Sequence, residues 1–240
     1  MLQRLKAYQD FYSERQGRFV RKVLRKELYK TIDKKLKVLG VGYTLPFVKR
    51  DLNIIPSFMK CDDMAGLPNN VSFSDPHTLP IESNFYDQVM MVHILEHAEH
   101  PIDTLKEAWR VLKSGGKLVM IVSNRNGLWS RADHSPFGQG RPFSSKQIIE
   151  LLKETDLACE DIRPALYFLP LQRKRLFKFA WLFEKVGKFL FIFPGGVHIV
   201  VAQKQIYSPV TPSRGTAVPV KTAVKPAVAN SKLNRKKSNV

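Results

Sequence analysis

Pro101–Ser123, PIDTLKEAWRVLKSGGKLVMIVS, reads as a helix, a stop and a strand. Proline suits a first helical turn, where its missing amide is not needed. Leu105, Ala108, Trp109 and Leu112 then recur at three- and four-residue spacing, and Ser114-Gly115-Gly116 halts the helix. Lys117–Ser123 is apolar without alternation, the pattern of a strand covered on both faces. Upstream, Phe85–Val92 reads as a strand, Lys37–Gly42 as a short one running into a glycine turn, and Asn53–Pro56 as a weaker one cut by its proline. Downstream, Lys146–Lys153 is a helix, Leu157–Phe168 an extended segment and His198–Ile206 a last strand. Strands of this kind alternating with helices predict an α/β fold: a mostly parallel sheet with helices on both faces.

The flanks differ from this middle. Residues 1–36 have helical spacing and are divided at Gly17, which predicts two basic N-terminal helices. The domain proper is expected over 37–206, and 207–240, rich in Pro, Ser, Ala and Lys, as a disordered basic tail. Of the formal net charge of +18, residues 1–37 carry +8 and 203–240 another +8, whereas 38–162 stands at −4. The body is therefore not a nucleic-acid groove; the appendages are the parts suited to anionic partners. Two cysteines, Cys61 and Cys159, give no disulfide framework, and no disulfide partner is expected. With no apolar leader and no run of 18 uncharged apolar residues, the expected location is cytoplasmic, with peripheral contact at the inner membrane face as an option.

One ordered series spans about forty residues: Asp75-x-x-x-Leu79-Pro80-Ile81, Phe85-x-Asp87-x-Val89, Leu95-Glu96-His97, and Leu105-x-Glu107-x-x-Arg110-Val111-Leu112-Lys113-x-Gly115-Gly116. The series resembles the class I S-adenosylmethionine-dependent methyltransferases of the type 11 group, over roughly residues 36–125. The part that follows, up to Ser144, is similar to a bacterial subgroup with no assigned substrate. The resemblance implies a Rossmann-like sheet, S-adenosyl-L-methionine as cofactor and an unassigned methyl acceptor. It implies cofactor contacts at Gly40, Gly42 and Asp75, with Asp75 beside the adenine amino group. The group's first motif is Asp-x-Gly-x-Gly-x-Gly; here Gly40 stands where the acid belongs, and Thr44 and Pro46 replace two glycines. The acid that follows the second strand is also missing, with Asp62 or Asp63 as substitutes further on.

The residues themselves point to the same edge, because open sheets bind ligands beyond the carboxyl ends of their strands. Gly40 and Gly42 either admit a ligand or simply make a tight turn. His93, Glu96, His97 and His100 have metal-like spacing, but no metal is expected; His93 and Glu96 are candidate cofactor contacts, and His97 or His134 a candidate catalytic base. Asn124 and Arg125 follow the strongest strand. Asn126–Ser144 is long for a loop and reads as an acceptor lid with Arg125, Arg131 and Arg141 as anion contacts, or as packed surface. Residues 172–193 insert a helix before the last strand, with Lys174, Lys178, Lys185 and Lys188 on one side and Phe and Leu opposite. That helix suits core or lid packing or a membrane interface. With the basic termini it offers weak contact to lipid or RNA. The alternative to an enzyme is a pseudo-methyltransferase serving as a binding module, on nucleic acid or an anionic membrane surface.

Overall fold

A computed structural model describes residues 2–33, 35–47, 54–58, 76–132, 135–170, 181, 184, 186, 187 and 194–205. Met1–Ile206 form one compact unit; the tail expected over 207–240 lies outside the described residues. Among the described residues six strands, β1 (Val38–Gly42), β2 (Ile54–Phe58), β3 (Tyr86–Val92), β4 (Leu112–Ser123), β5 (Leu157–Ala165) and β6 (Val197–Lys204), form one sheet in the order β2-β1-β3-β4-β6-β5. β1 is parallel to β2 and β3, and β3 to β4, while β6 runs antiparallel to both β4 and β5. One reversed strand in six gives the expected α/β, mostly parallel architecture.

Successive side chains on a strand point to opposite faces, and both faces here are covered. On one, Met90, Val92, Val119, Ile121 and Ile199 pack with Val20, Leu24 and Leu28 of α2 (Arg15–Leu28) and with Tyr8, Phe11 and Tyr12 of α1 (Leu2–Ser13). On the other, Val89, Met91, Leu118, Met120 and Val200 pack with Leu105, Ala108 and Val111 of α3 (Pro101–Val111) and Ile148 and Leu152 of α4 (Ser145–Glu154). This double cover is why the strands read as unbroken apolar runs. Each fully buried Leu, Val or Met stabilises the fold by roughly 1.5–3 kcal/mol.

The N-terminal helices divide elsewhere than the glycine suggests. The break falls at Glu14, and Gly17 lies inside α2, buried. A Cβ at Gly17 would stand 1.8 Å from the Phe11 carbonyl oxygen, so this glycine lets α1 fold back directly onto α2. The strand after α3 begins at Leu112 rather than Lys117, with Gly115 at φ 69 in the register break between the Leu112 and Lys117 pairings with β3.

Much of the motif series is structural. Glu107 and Arg110 form a two-pronged pair, with Nε to Oε2 at 2.8 Å and Nη2 to Oε1 at 2.7 Å. The pair grips the Leu-Pro turn: Leu79 N–H donates to Glu107 Oε1, and Arg110 donates to the Leu79 carbonyl. Asp87 likewise accepts from Lys113 Nζ at 2.7 Å and from the Lys37 amide at 3.0 Å, tying the entry of β1 to that of β4. The Lys113 hydrogen bond holds the Asp87 carboxyl below its ordinary range.

Candidate functional site

Gly42, Val92 and Ser123 end three adjacent parallel strands at one edge of the sheet. Gly42 has φ 84, and a Cβ there would lie 2.3 Å from the Val92 carbonyl oxygen, which accepts from the Tyr43 amide at 2.8 Å. The glycine is required by the close approach of β1's end to β3. Gly40 faces Thr44, whose Oγ1 would sit 2.7 Å from a Cβ. The chain then turns through a single 3-10 turn, Leu45–Phe47.

Past β3, His93 takes φ 53, a left-handed conformation that only a constrained non-glycine residue holds. Its ring is buried, stacked against Tyr8 at 5.0 Å and packed on Phe137 at 5.0 Å, and its Nε2 is 2.7 Å from Tyr12 Oη. Burial, helped by His97, pushes His93 down to about 3. Burial pushes the Tyr12 phenol well above its ordinary value, with Tyr8 and Tyr43 adding to it. Both partners are thus neutral around pH 7. One turn on, His97 Nε2 hydrogen-bonds Tyr8 Oη. Two tyrosines four residues apart on α1 meet two histidines four residues apart at the sheet edge, so α1 lies across that edge.

Glu96, between the histidines, is buried. Its Oε1 accepts from the Ser123 amide at 2.6 Å, and its carbonyl from the Arg141 amide at 2.8 Å. Burial raises its carboxyl above the usual range, against the hydrogen bonds it accepts. Glu96 Oε2, Thr44 Oγ1 and Ser123 Oγ are buried and lack a partner in full hydrogen-bond geometry among the described residues, the Ser123 hydroxyl lying near enough to Glu96 to help lower its carboxyl pKa. Such atoms are costly unless something satisfies them. They stand just past or at the ends of β3, β1 and β4, and their chemistry suits a polar ligand rich in hydroxyl and amino groups.

Residues 126–132 and 135–144 pack over the same edge. Arg125 N–H donates to the Phe143 carbonyl at 3.1 Å and Phe143 N–H to the Ser123 carbonyl at 3.0 Å, so the ends of the segment are closed together. Trp129 donates from Nε1 to the Phe168 carbonyl at 2.7 Å, and Trp129 and Phe137 both set their rings edge-on to Phe11 of α1. Asn124 is buried and fastens this turn: Nδ2 donates to the Gly195 carbonyl at 2.7 Å and Oδ1 accepts from the Asn126 amide at 3.0 Å. Arg125, Arg131 and Arg141 are exposed.

The structure therefore gathers Gly42, His93, Glu96, His97 and Asn124 at one edge, while Asp75 and His134 lie outside the described residues. So do Asp62 and Asp63 and most of 172–193, of which Trp181, Glu184, Val186 and Gly187 are described and helical. No sequence motif marks Tyr8, Tyr12 or Ser123 as site residues, and Thr44 shows in sequence only as the replacement of a motif glycine. The repeated four-residue spacing of Tyr8/Tyr12 and His93/His97 is the signal that pairs them.

Residues 51–120 match the sequence profile of a family described as a methyltransferase domain. An uncharacterised protein of Methanocaldococcus jannaschii is 30% identical over 126 residues, covering 48% of this chain and 60% of that protein. A ubiquinone/menaquinone biosynthesis C-methyltransferase of Chromobacterium violaceum is 34% identical over 86 residues, covering 36% of this chain and 34% of the enzyme. The chain thus spans 60% or less of the length of these curated relatives. Among solved structures, an S-adenosylmethionine-dependent methyltransferase of Thermotoga maritima, named as a possible histamine N-methyltransferase, superposes with a TM-score of 0.64 at 19% identity, over 84% of this chain and 96% of that one.

Proposed function

We infer that this chain, a member of the class I, type 11 group of S-adenosylmethionine-dependent methyltransferases by its fold and its central segment, binds that cofactor at the carboxyl edge of the sheet and methylates an acceptor held beneath α1 and residues 126–144. The observation that carries the reading is the set of unsatisfied polar atoms, Thr44 Oγ1, Glu96 Oε2 and Ser123 Oγ, at the ends of three neighbouring strands. When bound, S-adenosylmethionine supplies an activated methyl group, so the protein needs no nucleophile of its own.

The chain's task is then binding, orientation and exclusion of water. Thr44 and Ser123 hydroxyls donate or accept at the cofactor's polar groups, and the Glu96 carboxylate accepts from its hydroxyl or amino groups. Tyr12, His93 and Phe137 form a neutral wall that keeps solvent out. Where the acceptor must lose a proton, His97 is the base: it is half-buried and already hydrogen-bonded to Tyr8. Asp75 and His134 are proposed at the adenine and acceptor sides, and Gly40, Gly42 and Asn124 as the backbone supports. Arg125, Arg131 and Arg141 are proposed anion contacts for the acceptor. The relatives carry an amine and a quinone in their names, so acceptor choice falls to the covering elements rather than to the sheet.

Calorimetric titration of S-adenosylmethionine and of S-adenosylhomocysteine into the full chain tests this. Both ligands should release or absorb heat saturably and raise the thermal midpoint. Thr44→Val, which removes a hydroxyl at nearly constant volume, should weaken binding roughly 5- to 10-fold, about one hydrogen bond's worth. Neither heat nor thermal stabilisation at millimolar ligand would overturn the proposal.

A further inference from the structure

The surface of α2 that faces away from the sheet carries a second feature. Arg18, Arg21, Lys22, Arg25, Lys26 and Tyr29 line a hollow of about 610 Å³, with no carboxylate among the described residues of its wall. Arg18, Lys22 and Lys26 are exposed. A second hollow, of about 220 Å³, adjoins it and shares Lys22 and Lys26; its remaining wall is Phe19, Val23, Trp181, Glu27 and Glu184. Both carboxylates there are engaged: Glu27 with Lys30 at 2.8 Å, and Glu184 with the Tyr167 and Phe168 amides at 2.7 and 2.9 Å. Trp181 is 60% exposed and Val186 37%.

We propose that this face of α2, with Trp181 at its rim, is a docking surface for an anionic phospholipid bilayer. The basic hollow is complementary to headgroup phosphates. An exposed tryptophan beside lysines is the arrangement that seats a protein at a membrane–water interface. Nucleic acid would match the cations equally, but it gives no role to the apolar Phe19 and Val23 that line the adjoining hollow with Lys22, Lys26 and Trp181. No described helix is long and apolar enough to cross a membrane, so the attachment is peripheral. Cations near a charged bilayer each contribute on the order of 1 kcal/mol, and the attraction reaches only about 8 Å at physiological salt. The proposal is independent of cofactor binding.

The test is co-sedimentation of the full chain with vesicles of phosphatidylcholine alone and of phosphatidylcholine with phosphatidylglycerol. Binding is expected only to the second. Arg18→Glu/Lys22→Glu/Lys26→Glu should lose it about a hundredfold or more, whereas Lys221→Glu/Lys225→Glu/Lys232→Glu, which changes net charge equally in the tail, should keep it within about threefold. Trp181→Ala, which leaves every cation in place, should bind at low salt but lose the salt-resistant fraction and the blue shift of tryptophan emission. Equal loss in the tail variant, or unaltered binding in the α2 variant, would overturn the proposal. So would displacement by millimolar inorganic phosphate, which marks a soluble-anion site. Tighter binding to single-stranded RNA with the same α2 dependence would overturn it in favour of nucleic acid.

Discussion

His198 enters the sheet opposite Val122 with both ring nitrogens buried and without a partner among the described residues. Burial pushes its pKa down to about 4, against about 6.5 for the unfolded chain. Between those values the unfolded state takes up a proton that the folded state refuses. Stability is therefore full above about pH 6.5 and drains as pH falls towards 4, by up to about 1.4 kcal/mol per pH unit. His93 acts in the same direction down to about 3. Glu96, whose folded pKa is raised, acts oppositely and returns some stability as it protonates. The histidine contribution is isolated by difference: His198→Phe should flatten the fall of the thermal midpoint between pH 7 and 5. Parallel slopes for the two proteins would show that His198 is protonated or solvated in the fold.

Between elements, the contact that matters most is α1 on α2. Glycine inside an exposed helix ordinarily costs about 1 kcal/mol relative to alanine, so Gly17→Ala should stabilise α2 if propensity decided the outcome. A Cβ at 1.8 Å from backbone decides otherwise. The variant should lower the midpoint and loosen α1, seen as faster amide exchange over residues 8–13 and a changed environment for Tyr8 and Tyr12. A more stable Gly17→Ala protein would refute the packing described for α1. This position also marks where sequence reading stops. Strands β1, β3 and β4 and helix α3 were legible because apolar runs and a Pro-to-Gly frame are local signals. Gly17 read as a helix break because a single glycine looks the same whether it ends a helix or admits a neighbour. His93, Glu96 and His97 were legible as a cluster, since they lie within five residues. Their partners Tyr8, Tyr12 and Ser123 were not, because those contacts join residues 27 to 89 positions apart. Asn124 drew notice for its place after β4, and the structure assigns it contacts that hold a turn.

Taken whole, the molecule has two unlike edges. At the amino edge Asp87 pairs with Lys113, and Lys204 Nζ with Asn84 Oδ1 and the Leu112 carbonyl, both at 2.7 Å, beneath the Trp109 ring, whose own Nε1 is buried without a partner among the described residues. At the carboxyl edge Thr44, Glu96 and Ser123 each keep a buried atom unmatched, under a helix and a long segment that meet through Phe11, Trp129 and Phe137. Three unmatched oxygens gathered where the parallel strands end, the place where open sheets bind their ligands, put the ligand at the carboxyl edge. Amide hydrogen exchange of the full chain, with and without saturating S-adenosylhomocysteine, locates that ligand directly. The account predicts slowed exchange at residues 42–47, 93–98 and 123–127, with α2 and the amino edge unchanged. Protection confined to other segments, or none at saturating ligand, would contradict it.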